Sequence, residues 1–252
     1  MKNKMKDALA SGKTQIGTWI TTASPDVTEL IAGAGFDFLV FDMEHAPLSI
    51  ETVQNLLQVS KGSGTTPLVR VAWNDQVMIK LALDIGAEGL VIPQVNTKED
   101  AETAVRAMRY PPAGTRGIGP RRASDYYRSF KEYISSADKE LLVALQIEHI
   151  DAVKNVDQIV GVQGVDVLFI GPADLSASMG LLGKHDHQSV QSAIGEVFKA
   201  ALKRNVTIGI HTFDSDDAMK KMAMGARMVM ISTDVGLLTK GCKDTLSGIT
   251  RR

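Results

Sequence analysis

The stretches AGAGFDFLVF (32–41), LDIGAEGLVI (83–92) and MAMGARMVMI (222–231) repeat one phrase: the end of a helical pattern, a small Gly/Ala turn, then an apolar run. A glycine at such a turn ends the helix at little steric cost and returns the chain to a sheet. Outward from these three, runs of the same kind recur: QIGTWIT (15–21), DFLVFD (37–42), PLVRVA (67–72), EGLVIP (88–93), LVALQIE (142–148), VDVLFIG (165–171), VTIGIH (206–211) and RMVMIS (227–232), eight in all. Between most of them lie helix-period segments such as PDVTELIAGAG (25–35), SIETVQNLLQVSKG (49–62) and QSVQSAIGEVFKAALKRN (188–205). Continuous apolar strands separated by helices specify a parallel sheet covered on its outer face. Eight such units in 252 residues predict an α/β fold of the (β/α)8 TIM-barrel type, ahead of a doubly wound sheet. No linker divides the chain, so one domain over 1–252 is expected.

Composition narrows the partners. Apolar residues make up 44% and charged residues 23%, and the net charge of -1 provides no electrostatic footprint for nucleic acid or an anionic membrane. No apolar run approaches the roughly 20 residues that span a bilayer. Cys242 has no second cysteine to pair with, and MKNKMKDALASGK lacks the apolar core of a secretory signal, so a cytoplasmic location is expected.

In barrels of this type the chemistry sits at the C-terminal strand ends. The polar residues there are Asp42, Glu44 and His45 after the second run, Arg70 in the third, Gln146 and Glu148 in the fifth, Asp174 after the sixth and His211 ending the seventh. Gln146 and Glu148 are two apart and share a face; if that face is inward, Glu148 tops the barrel axis. Glu148 with Asp174 makes an oxygen-donor site suited to Mg²⁺ or Mn²⁺, with Co²⁺ a further option; the alternative is that each acid only caps a helix. A guanidinium in a buried strand needs an anion, so Arg70 binds either a substrate carboxylate or an acid such as Asp42 or Glu44. Histidine is the residue type suited to proton transfer near neutral pH, which makes His45 a candidate acid/base.

None of the eight runs contains lysine, which disfavours Schiff-base chemistry. HTFDSDD (211–217) and STDVGLL (232–238) lack the Gly-rich turns that cradle phosphate, so an unphosphorylated substrate is expected. His185 and His187 read as residues of an exposed loop. The segment MRYPPAGTRGIGPRRASDYYRSFKEY (108–133) reads as a long loop whose Arg116, Arg121, Arg122 and Arg128 suit either a second anionic group on the substrate or an oligomer contact.

Five motifs in order, FDFLVFDMEHAPLS (36–49), LVRVAWND (68–75), VIPQVNTKEDAETAVRAMRYPPAGTRGIGP (91–120), LQIEH (145–149) and VDVLFIGPADLSASMG (165–180), resemble the HpcH/HpaI family of metal-dependent pyruvate aldolases. The resemblance implies a (β/α)8 barrel, a homo-oligomer (hexameric in the family) with its C-terminal helix exchanged between subunits, and cleavage or formation of 4-hydroxy-2-oxo acids through a pyruvate enolate stabilised by a divalent metal. It implies Glu148 and Asp174 as metal ligands, Arg70 as the clamp on the carboxylate, His45 as acid/base and Gln146 as a second polar contact. It also pairs the histidine with an acid matching Asp84, which precedes the fourth strand and so belongs toward the opposite end of its own barrel. The turn Gly171, Pro172, Ala173 is expected to let a 2-oxo acid, pyruvate or oxaloacetate, approach the backbone. The 108–133 loop is shorter than in the family's seven-carbon diacid aldolase, which leaves the aldehyde or other acceptor open. The same enolate machinery would serve a Claisen synthase joining oxaloacetate and acetyl-CoA, and a non-catalytic binding barrel is the third reading.

Overall fold

The computed structural model describes residues 2–249. Its strands are β1 (Gln15–Ile20), β2 (Phe38–Asp42), β3 (Thr66–Arg70), β4 (Gly89–Ile92), β5 (Leu142–Ile147), β6 (Val167–Ile170), β7 (Thr207–Thr212) and β8 (Met228–Thr233). They pair in parallel in chain order, and β8 closes onto β1, so the expected (β/α)8 barrel is the observed fold. The helices are α1 (Lys4–Ala10), α2 (Pro25–Ala32), α3 (Ile50–Val59), α4 (Gln76–Asp84), α5 (Lys98–Met108), α6 (Phe130–Glu140), α7 (Ile150–Lys154), α8 (Val156–Ile159), α9 (Pro172–Ser178), α10 (Gln188–Arg204), α11 (Ser215–Met224) and α12 (Asp234–Ser247). Side-chain caps start many of them. Ser24 accepts from Val27 N with Pro25 in the first turn, and Thr97 with Asp100 forms a capping box.

Strand residues alternate between two cores. One set, including Leu39, Phe41, Val69 and Leu90, packs outward against the helices; the other, including Phe38, Val40, Leu68, Val91 and Leu142, fills the barrel. Small residues make room for large ones across the interior. A Cβ on Gly17 would stand 2.5 Å from the Phe38 ring, and one on Gly209 would stand 2.7 Å from Phe169. Truncating a side chain as buried as Phe38 costs about 3–5 kcal/mol. The bottom is stoppered by α1, whose Met5 and Leu9 join the interior core while Lys6 Nζ binds the Leu141 carbonyl and Asp166, each at 2.8 Å.

This alternation positions the site. Phe38, Val40 and Asp42 share a face, as do Leu68 with Arg70 and Leu142, Ala144 with Gln146, so the inward face of the last turn of β2, β3 and β5 is polar.

One expectation is narrowed: the long loop read over 108–133 spans 109–129, because Met108 ends α5 and Phe130 begins α6. The irregular segment joins α5 to α6, so it lies on the helix-to-strand side of the barrel rather than at the C-terminal strand ends. Among the described residues no helix is long and apolar enough to cross a membrane.

Candidate active site

A cavity of about 410 Å³ opens at the C-terminal strand ends, and His45, Arg70, Gln146, Gly171, Pro172, Ala173 and Asp174 all line it. Asp42, Trp19, Phe169 and His211 complete its inner wall.

Arg70 is buried, with its guanidinium over the Trp19 ring at 4.0 Å. Its Nε donates to Asp42 Oδ1 at 2.8 Å and its Nη2 to Asp42 Oδ2 at 2.7 Å, while Nη1 stands 3.2 Å from Glu44 Oε2. The internal ion pair weighed as the alternative for Arg70 is therefore present, and Arg70 still reaches the pocket wall. Burial pushes Glu44 up to about 7, opposed by Arg70 and reinforced by Glu148, Asp42 and Asp174. Asp42 and Glu44 contact the guanidinium directly, and Glu148 and Asp174 add to the negative charge that Glu44 feels.

Glu148 directly follows β5 and is 4% exposed. Its Oε1 accepts from Gln94 N at 3.0 Å and its Oε2 faces the Gln146 amide nitrogen, yet no cation among the described residues pairs with it directly. Burial raises its pKa above the usual carboxylate range, with Asp174 adding to the rise. Gln94 is held at φ 59° while its N–H binds Glu148, a left-handed conformation that costs a non-glycine residue energy and clusters at functional sites. Gln146 Oε1 is buried without a hydrogen-bond partner. Asp174 lies exposed in the first turn of α9, and a Cβ on Gly171 would sit 3.5 Å from Glu148 Oε2, so glycine keeps space beside that carboxylate.

The donor set fits a hard divalent cation. Glu148 and Asp174 supply two oxygens, and an ion between them would relieve the surplus negative charge. Among the described residues no group of three or more His, Cys, Asp or Glu side chains is placed to hold a metal ion.

His45 is exposed on the rim, with Nε2 3.7 Å from Glu44 Oε2. Within the chain the acid beside His45 is therefore Glu44. Asp84 ends α4 on the far side of the barrel, where it accepts from the fully buried Arg116 at 2.7 Å. Arg116 also donates to Tyr133 Oη, Arg122 caps the carbonyls of Leu57 and Ile85, Arg121 stacks over Tyr126, and Arg128 pairs with Asp125. Arg116, Arg121, Arg122 and Arg128 thus serve the opposite face of their own subunit, and none lines this pocket. His187 caps α10 and His185 stacks on Phe213.

Sequence reasoning noted Asp42, Glu44 and His211 at strand ends without assigning them to the site, and it missed Trp19 and Gln94. The Asp42-x-Glu44 spacing carried a signal, since two acids two apart at a strand end share a direction. Trp19 and Gln94 carried none, because their roles depend on neighbours from β7 and β5.

Fold and site together define a (β/α)8 lyase of the aldolase type. Residues 15–241 match the family described as HpcH/HpaI aldolase/citrate lyase, and the chain belongs to that family. It is 44% identical over 245 residues to a 4-hydroxy-2-oxo-heptane-1,7-dioate aldolase of Klebsiella pneumoniae, covering 96% of this chain and 92% of that one. Among solved structures, an HpcH/HpaI aldolase/citrate lyase family protein of Burkholderia cenocepacia superposes with TM-score 0.94 at 34% identity, covering 98% of both chains. The citrate synthase SbnG superposes with TM-score 0.87 at 27% identity, covering 96% of this chain and 95% of that one.

Proposed function

We propose that the chain cleaves, and in reverse forms, 4-hydroxy-2-oxo acids with pyruvate as one product, as a single-domain cytoplasmic enzyme. The observation that carries this reading is the buried Glu148 carboxylate, which no cation among the described residues pairs with directly and which feels the charge of Asp174, beside a pocket lined by Asp174, Arg70, Gln146 and His45. Glu148 and Asp174 would hold a divalent ion, Mg²⁺ or Mn²⁺, which when bound supplies Lewis acidity at the oxygens of the 2-oxo acid.

Arg70 binds the 2-oxo acid's carboxylate through Nη1, the edge that now faces Glu44; with its pKa near 7, Glu44 can take a proton and yield that edge. His45 Nε2 takes the proton of the C4 hydroxyl, the C3–C4 bond breaks, and its electron pair remains on the pyruvate fragment until C3 is protonated. Gln146 orients Glu148 through its amide nitrogen. Trp19 and Phe169 give the pocket an apolar wall that strengthens these polar contacts. Asp84 enters this scheme only if a neighbouring subunit brings it to His45.

Exchange of α12 between subunits of a homo-oligomer, a hexamer by family resemblance, is supported by its own surface. Among its residues only Asp234 is buried; Val235, Leu238 and Leu246 are about half exposed, and an apolar groove of about 650 Å³ lies between it and α2.

The test is deuterium exchange into pyruvate in D₂O buffer with added Mg²⁺ or Mn²⁺. Exchange that EDTA abolishes is expected, and its absence from the metal-supplemented protein would sink the reading. The likeness to citrate synthase SbnG favours one second reading, condensation of oxaloacetate with acetyl-CoA. Product formation from that pair, with no turnover of any aldehyde and pyruvate, would replace the aldolase by the synthase.

A further inference from the structure

His211 lies in β7 with its ring beside the pocket, and its Nδ1 is 3.2 Å from Trp19 Nε1. An indole N–H can only donate, so Nδ1 is the acceptor and the proton of the neutral ring sits on Nε2. Trp19 is held in turn by the Arg70 guanidinium on its face and by Phe169 at a centroid distance of 5.9 Å, so the group that sets the tautomer is fixed. Among the described residues nothing hydrogen-bonds Nε2, and Nε2 is not one of the buried polar atoms left without a partner, which leaves it open to the cavity. Burial, then Arg70, lowers the His211 pKa to about 4, against the smaller opposing pull of Asp217, so the ring is a neutral donor near pH 7.

The charges around it bear on what it can receive. Arg70 is the cation on this wall, and it is shared by Asp42, Glu44 and the carboxylate of the 2-oxo acid. Arg116 and Arg122 serve the opposite face of the subunit. The His211 end of the pocket therefore offers a neutral N–H rather than a second cation, in a pocket that Asp42 and Asp174 also line.

We propose that His211 selects the acceptor: its Nε2–H donates to an uncharged oxygen of the aldehyde, so that hydroxylated aldehydes are taken ahead of alkyl aldehydes of the same size and ahead of carboxylate-terminated ones. This rests on the aldolase reading. A site built to hydrogen-bond a substrate hydroxyl discriminates against the analogue that lacks it.

The experiment compares kcat/KM for addition of pyruvate to glycolaldehyde, to propanal, which replaces the hydroxyl by methyl, and to succinate semialdehyde. The wild type is expected to prefer glycolaldehyde over propanal by about tenfold or more, the value of one hydrogen bond. In His211→Leu the ratio should fall to within about twofold of one, and in His211→Gln, which keeps a donor, most of it should return. The ratio is internal to each variant, so a general loss of activity does not mimic the result. A wild-type ratio near one, a ratio unmoved in His211→Leu, or succinate semialdehyde as the best acceptor would overturn the proposal. If the wild type exchanges pyruvate protons normally, such a result removes this proposal alone; if exchange is absent, the aldolase reading fails with it. Nitrogen-15 NMR of the metal-free protein gives a readout independent of turnover: Nε2–H is expected at neutral pH, and Nδ1–H would contradict it.

Discussion

Arg70 and Asp42 are register partners on neighbouring strands, and the guanidinium grips the carboxylate with two hydrogen bonds of 2.8 and 2.7 Å. Both side chains are buried, so each is the other's principal compensation for lost water. Asp42→Ala leaves Arg70 with Glu44 alone and should lower stability by about 3 kcal/mol, measured by urea unfolding. Arg70→Lys keeps the charge but not the planar fork, and should raise KM for pyruvate at least about tenfold. An unchanged KM would remove Arg70 from substrate binding.

Glu148 presents the reverse case, a buried carboxylate whose surroundings oppose its charge. Glu148→Gln should weaken Mn²⁺ binding at least about 100-fold by calorimetry and abolish pyruvate proton exchange. The same substitution should leave the metal-free protein as stable as the wild type or more so, because the desolvated charge is gone. Marked destabilisation of the metal-free variant would mean that Glu148 is a structural acid.

Glu44 and His211 tilt stability in opposite directions with pH. Burial moves Glu44 from 4.5 up to about 7, so between those values the folded state holds a proton that the unfolded chain has released, and stability from this group falls as pH rises. Burial moves His211 from 6.5 down to about 4, so the unfolded chain binds the proton first and stability from this group rises with pH over that window. The Tm of metal-free Glu44→Gln, relative to wild type, should therefore be higher at pH 8 than at pH 4.5. For His211→Gln the difference should be larger at pH 4 than at pH 7. Shifts of a few degrees are expected, at about 2–4 °C per kcal/mol, and pH-independent differences would refute both assignments.

Asp84 and Arg116 yield a prediction about architecture. Asp84→Ala strips a fully buried guanidinium of its carboxylate, leaving Tyr133 Oη as its remaining hydrogen-bond partner, and should cost about 3–5 kcal/mol. Activity lost in Asp84→Ala but retained in the equally disruptive Arg116→Met would mean that Asp84 also works outside this pair.

Much of the barrel was legible in the chain because its determinants are local. The period of apolar residues, the Gly/Ala turns before β2, β4 and β8, and caps such as Ser24 each act within a few residues, and eight repetitions leave little choice of topology. The two-residue spacing of Gln146 and Glu148 likewise decided that they face the same way, whatever lies around them. The arginines of 108–133 were harder to place, since sequence shows their charge and not which end of the barrel the segment joining α5 to α6 occupies.

What the sequence determined by itself, then, is the repeat, the strand ends and the residue types gathered there. Tertiary structure alone decided the pairings: Arg70 with Asp42 across β2 and β3, Asp84 with Arg116 on the far face, Gln94 with Glu148, and Trp19 with His211 across residues 192 positions apart. The physical reason is range. Backbone preference and periodicity act over a turn of helix or a strand, whereas a buried charge or an imidazole tautomer is set by whichever group the closed barrel brings within hydrogen-bonding distance.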